Sequence, residues 1–210
     1  MNKYTGLDSN FHKYASLVTD IMVVGFLWML TSVAIITIGV ATSASYYVLT
    51  KKITGRDGYL LKDFFYSFKQ NFLKGILATI LFIGIGLLVF INIYIIDDLE
   101  FLLILQYFIA FQAIIVCIYF FPLLARFDLS FINLLKTAFF LGNKHFFTTF
   151  INIFLLIALF ILAMYIPILF IFISGIYLYL SSRFFVRIFR KHWADFDPII
   201  EDDEIIEDDQ

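Results

Sequence analysis

The sequence predicts an all-α fold, a polytopic transmembrane helical bundle of five or six spans with short amphipathic helices at the membrane interface. Three observations carry this. Of 210 residues, 62% are hydrophobic and 28 are Phe, against roughly 45–50% apolar residues in an ordinary soluble domain. Stretches of about 20 residues without a charge recur, the length that crosses a hydrocarbon core of roughly 30 Å. Lys and Arg gather in alternate connections, the pattern of short loops held in the cytoplasm.

Residues 1–20 are polar and of mixed charge, unlike the basic start and short apolar core of a secretory leader. The first apolar segment is therefore expected to stay in the mature chain. That segment, Ile21 to Thr50, is longer than one perpendicular span needs at about 1.5 Å per residue. It must tilt, protrude or break. The expected break is Thr37-Ile38-Gly39, where glycine relaxes the backbone and the threonine hydroxyl can bond a freed carbonyl. If the segment crosses once, the chain has five spans and an outside N-terminus; folded as a hairpin at Gly39, it has six and an inside N-terminus. After the break, Ala41, Ser43, Ala44 and Ser45 form a small-residue surface suited to close helix approach.

A polar connection follows, Lys51 to Asn71, with a turn signal at Gly55-Arg56-Asp57-Gly58. Beyond the turn, Tyr59, Leu60, Phe64, Phe65 and Phe68 alternate with Lys62, Asp63, Lys69 and Gln70, as in an interfacial helix. The next spans are read at Phe72 to Ile96 and Phe101 to Leu124, the latter ending near Pro122 and Arg126. Phe131 to Phe140 is a second interfacial helix. From Phe146 to Ser182 the chain is apolar for long enough to cross twice, and Pro167 marks a turn near Tyr165 to Pro167 because proline removes a donor and disfavours helix before itself. Residues 21–193 thus read as one transmembrane domain, preceded by the polar segment 1–20.

Orientation follows from the bases. Lys51 to Lys74 holds six, Arg126 to Lys144 three and Arg183 to Lys191 four, whereas the turns at Asp97 and Pro167 hold none. The basic loops and the C-terminus are expected in the cytoplasm. Residues 194–210 are expected to form an acidic, disordered tail, with nine acids and no base from Asp195 onward.

The ordered series Thr37-Ile38-Gly39-x-Ala41-x-x-Ala44-x-Tyr46-Tyr47, Gly58-Tyr59 and Asp63-Phe64-Phe65-x-Ser67-Phe68-Lys69-x-Asn71-Phe72 resembles the YesL family of bacterial membrane proteins of unknown function. The resemblance covers about residues 20 to 75. It implies a membrane location and, because such genes often neighbour those for carbohydrate uptake and its two-component regulation, an accessory role beside an importer or a sensor kinase.

Residue chemistry narrows the field. The apolar spans carry no Asp, Glu, Lys, Arg or His in their interiors, which argues against proton pumps, ion-coupled carriers and intramembrane proteases. Asn92, Gln106, Gln112, Thr148, Thr149, Asn152 and Ser174 are expected to bond between helices rather than line a path. His12, His145 and His192 read as isolated, so no metal site is expected. Asp57 and Asp63 read as solvated charges, not a catalytic pair. Cys117 is the single cysteine and a buried hydrophobe. No cofactor and no nucleic-acid partner is implied. Arg183, Arg187 and Arg190 share a helical face, with Lys191 following, and are candidates for anionic headgroups. Candidates for helix packing or breaks are Thr37, Gly39, Ala41, Ala44 and Pro167. The expected function is a non-enzymatic accessory, assembly or sensory membrane protein; the alternative is a small transporter or channel for a neutral solute.

Overall fold

The computed structural model describes residues 5–56, 58–95, 100–165 and 170–192. Among them are eight α-helices and no strand: α1 (Thr5–Thr31), α2 (Ile38–Ile53), α3 (Leu60–Gln70), α4 (Phe72–Ile95), α5 (Glu100–Arg126), α6 (Phe131–Lys144), α7 (Phe146–Tyr165) and α8 (Phe170–His192). Phe72–Ile93, Leu103–Arg126 and Phe172–His192 are each long and apolar enough to cross a membrane, and α7 joins α6 at a bend of 96°. The chain is a helical bundle of membrane type.

The first apolar segment is a hairpin. Asp20 on α1 forms an ion pair with Lys52 on α2, and further along Trp28 Nε1 donates to Thr42 Oγ1 at 2.9 Å, so the two helices run antiparallel. The reversal occupies residues 32–37, meeting the expected break, Thr37-Ile38-Gly39, at Thr37 and lying otherwise ahead of it. Thr37 closes it, its hydroxyl bonding the carbonyls of Thr31 at 2.5 Å and Ala34 at 2.6 Å. The hairpin of the six-segment reading is thus present, with Asp20 of α1 beside Lys52, while the helices long and apolar enough to cross number three among the described residues, or four if α6 and α7 count as one bent span.

Helix α2 is the central pillar. Its small residues let neighbours approach from every side, and Gly39, Ala41, Ala44 and Ser45 are buried. Gly39 lies against Thr79 of α4 and Phe121 of α5, where any Cβ would collide, and its N–H bonds Thr79 Oγ1 at 3.2 Å. Helices α1, α4, α5 and α8 surround it. Helix α4 turns Leu73, Leu87, Leu88 and Phe90 outward, as a lipid-facing helix does.

The two short helices bury one stripe each. In α3, Phe64 and Ser67 face inward while Leu61, Lys62, Phe65 and Lys69 face out. In α6, Leu134, Ala138, Leu141 and Gly142 are buried at a helical period, and Gly142 seats against Ile115 of α5. Lys51 and Asp63, 3.5 Å apart with side chains 8% and 14% exposed, tie α3 to α2. Asp63 is thus a paired, largely buried charge rather than the solvated one expected from sequence. Asp57, Pro167 with its turn, and the acidic tail lie outside the described residues.

Candidate functional site

Helices α7 and α8 run antiparallel, with Asn152 opposite Ser181 and His145 opposite His192. Helix α7 also meets α5 near its start, where Thr149 Oγ1 bonds the Tyr119 hydroxyl at 3.1 Å and Phe146 lies beside Phe111. Beyond that point α5 and α7 diverge. The gap between them, backed by α1, α2 and α8, is a cavity of about 610 Å³.

Its walls are apolar: Ile114, Cys117, Ile118 and Phe121 from α5, Leu156, Ile157, Leu159 and Phe160 from α7. Trp28, Thr42, Tyr46, Ser174 and Tyr177 add the polar atoms. Below Tyr46 lies a floor built by three helices. The Tyr46 hydroxyl donates to Ser181 Oγ at 3.0 Å, which donates to Asn152 Oδ1 at 2.8 Å, and Tyr177 shares hydrogen bonds with Tyr46 and Ser181. Tyr46, Ser181 and Asn152 are each at most 2% exposed. In a low-dielectric setting such a chain persists because every member has a partner.

Towards the basic ends of α2 and α8 the floor is backed by aromatic rings. Phe185 meets Tyr46 edge-on at 5.7 Å and Tyr119 at 5.0 Å, Phe189 stacks below it at 6.0 Å, and Phe127 closes on Phe189 at 5.4 Å. These edge-to-face and stacked contacts form a packed column. At the other boundary, the lining residues Ile114, Ile157 and Phe160 remain 48%, 51% and 60% exposed. The cavity therefore opens sideways between α5 and α7.

Several of the polar residues noted in the sequence divide between these roles, whereas Gln106, expected to bond between helices, has its Oε1 buried without a hydrogen-bond partner among the described residues. Asn152 and Thr149 bond between helices, Gln112 exchanges amide bonds with Asn143 at 3.2 Å, and Ser174 lines the cavity. Trp28, Tyr46, Tyr177 and Ser181 escape a reading of the sequence alone as site residues. Their one signal is spacing: Ser174, Tyr177 and Ser181 fall three and four apart on one stripe of α8. Ala41 and Ala44 are fully buried on α2. Arg183, Arg187, Arg190 and Lys191 are all exposed, opposite the buried Phe185, Val186, Ile188 and Phe189.

His145 and His192, expected to be isolated, are neighbours, with Nε2 atoms 3.4 Å apart. Burial, then His192, Lys191 and Lys144, push the His145 pKa below its ordinary value. Among the described residues no group of three or more His, Cys, Asp or Glu gathers, so the pair supplies half of a tetrahedral ligand set.

Residues 21–93, from within α1 to near the end of α4, match a family described as "Protein of unknown function, DUF624". No curated protein and no solved structure matches the chain. The matched region contains Trp28, Thr42 and Tyr46, and with them the α1–α2 side of the cavity.

Proposed function

We propose that this chain is a non-enzymatic accessory or sensory component of the bacterial cell membrane, of the YesL kind. It holds an apolar ligand between its helices and relays occupancy to a protein partner at its cytoplasmic face. The observation that carries the reading is the cavity itself, floored by Tyr46, Ser181 and Asn152. Its volume falls within the roughly 300–1,000 Å³ of small-molecule sites, and its floor residues sit on the helices that lead to the basic face. A guest that displaces Tyr46 or Tyr177 disturbs α8, whose far end carries Arg187, Arg190 and Lys191.

The basic face is assigned to the cytoplasm by its Lys and Arg content. There α3, α6 and the end of α8 offer exposed charge to a partner, for which an importer or a sensor kinase is the candidate suggested by the family resemblance. The link to carbohydrate uptake rests on that resemblance alone. Capture of partners from native membranes, with the wild-type chain and with Ser181→Val as baits, tests the reading. Specific recovery of a transport or kinase component that changes with Ser181→Val supports it. Uptake of a neutral sugar by proteoliposomes of the pure protein, above empty vesicles, would instead favour the solute carrier.

A further inference from the structure

The chemistry of the cavity specifies more than an apolar guest. We propose that it binds a neutral, single-chain lipid bearing a hydroxyl at one end, a long-chain alcohol drawn from the surrounding bilayer. This rests on the reading of the cavity as a ligand site, and adds the class of ligand.

Three features select that class. The first is the opening, which lies between Ile114 of α5 and Ile157 and Phe160 of α7, side chains that are both lining and exposed. In a bundle of this type such a slot faces hydrocarbon, so the guest arrives from the bilayer rather than from water. The second is charge. None of the lining residues is charged near neutral pH, since the titratable side chains among them, the Cys117 thiol and the Tyr46 and Tyr177 phenols, are neutral there. A carboxylate or phosphate placed here would be desolvated without a cation, a cost of several kcal/mol or more. A charged headgroup is therefore excluded from the interior.

The third feature is the direction of the hydrogen bonds. Trp28 Nε1 is spent on Thr42, the Thr42 hydroxyl on the Ile38 carbonyl at 2.7 Å, and the Tyr46 hydroxyl on Ser181. Tyr177 bonds Tyr46 and Ser181, whose own protons are already given to Ser181 and Asn152, so its proton is spent there too. With these donors committed inside the protein, the lining offers a guest the remaining lone pairs of the Thr42 and Tyr177 hydroxyl oxygens. A hydroxyl brings the missing donor. An ester of the same chain brings only acceptors, and a carboxylate adds the charge penalty.

Trp28 reports on the cavity directly. The chain has two tryptophans, so Trp193→Phe leaves Trp28 as the sole emitter. In nanodiscs, ω-brominated probes of one chain length would be titrated as the alcohol, the methyl ester and the carboxylate, and quenching of Trp28 followed. The alcohol should quench saturably, with the ester and carboxylate at least tenfold weaker. Ile118→Phe and Leu159→Phe fill the cavity from two different helices, and each should weaken the alcohol about tenfold while keeping the thermal midpoint. Saturable quenching of equal strength by all three probes would overturn the alcohol assignment yet leave a ligand site. Quenching that never saturates and is unchanged in both filled variants would overturn the site as well. Partner capture is read independently of both results.

Discussion

Tyr46 on α2 donates its hydroxyl proton to Ser181 on α8 at 3.0 Å, although 135 residues separate them in the chain. Ser181 passes its own proton on to Asn152 of α7, so three helices are fixed by two bonds in sequence. Inter-helix hydrogen bonds in membranes are worth about 0.6–2 kcal/mol each, and linked bonds are lost together. Tyr46→Phe and Ser181→Ala should each lower stability in detergent by about that amount. The double variant should cost clearly less than the sum, because the first change already breaks the chain. Strict additivity in a double-mutant cycle would show that the two residues do not share a bond.

The hairpin of α1 and α2 makes a topological prediction. With Cys117→Ala as background, single cysteines at Ser16 and Thr54 should respond alike to an impermeant thiol reagent on intact cells, both protected. A cysteine at Ala34, in the exposed reversal between the helices, should be labelled. Labelling of Ser16→Cys together with protection of Thr54→Cys would mean that the first segment crosses only once.

Gly39 and Gly84 test close packing against open space. A methyl group at Gly39 meets Thr79 and the Phe121 ring, whereas at Gly84 it meets nothing. Overpacking costs about 1–3 kcal/mol, while replacing an unneeded helical glycine stabilises by up to about 1 kcal/mol. Gly39→Ala should therefore lower the thermal midpoint and Gly84→Ala should hold or raise it. Equal tolerance at both positions would place α4 and α5 away from α2.

Much of this architecture is legible in the amino-acid sequence. Charge-free runs mark the helices because hydrocarbon admits little else, and Ala41, Ala44 and Gly39 announce a packed helix because a lipid-facing one has no use for small residues. The first reversal is legible only at its end: Thr37 does bond freed carbonyls as its hydroxyl suggests, but they are those of Thr31 and Ala34, so the turn lies before Thr37 rather than at Gly39. The cavity is hidden for a different reason. Its walls are the Ile, Leu and Phe of an ordinary span, and only the divergence of α5 from α7 beyond Thr149 turns them into a site. The His145–His192 contact likewise depends on how α7 and α8 fold back, which leaves no trace in residue spacing.

Two of the ion pairs at the basic face differ in what they contribute. Lys74 and Asp128 meet at 2.6 Å, but Asp128 is 87% exposed, so water screens the pair and its worth is at most about 1 kcal/mol. Lys51 and Asp63 are mostly buried, and removing one charge of a buried pair costs about 3–5 kcal/mol. Asp63→Asn should therefore destabilise the fold strongly and loosen α3, while Asp128→Asn should pass almost unnoticed. Comparable thermal midpoints for the two variants would show that Lys51 reaches solvent.

His145 sits where α6 gives way to α7, beside His192, with Lys144 before it and Lys191 across from it on α8. Partial burial and these neighbours disfavour its protonated form, so its folded pKa lies below the ordinary value of 6.5. The sign of the linkage follows: below about pH 6.5 the unfolded chain binds a proton that the folded one resists, so stability is retained above that pH and lost as pH falls. Thermal midpoints measured from about pH 8 to about pH 5 should decline more steeply for the wild type than for His145→Gln, which has no proton to gain. Lys191→Ala, by removing one repelling charge, should fall between them. Superimposable profiles for wild type and His145→Gln would mean that the acid sensitivity of the fold lies in other groups.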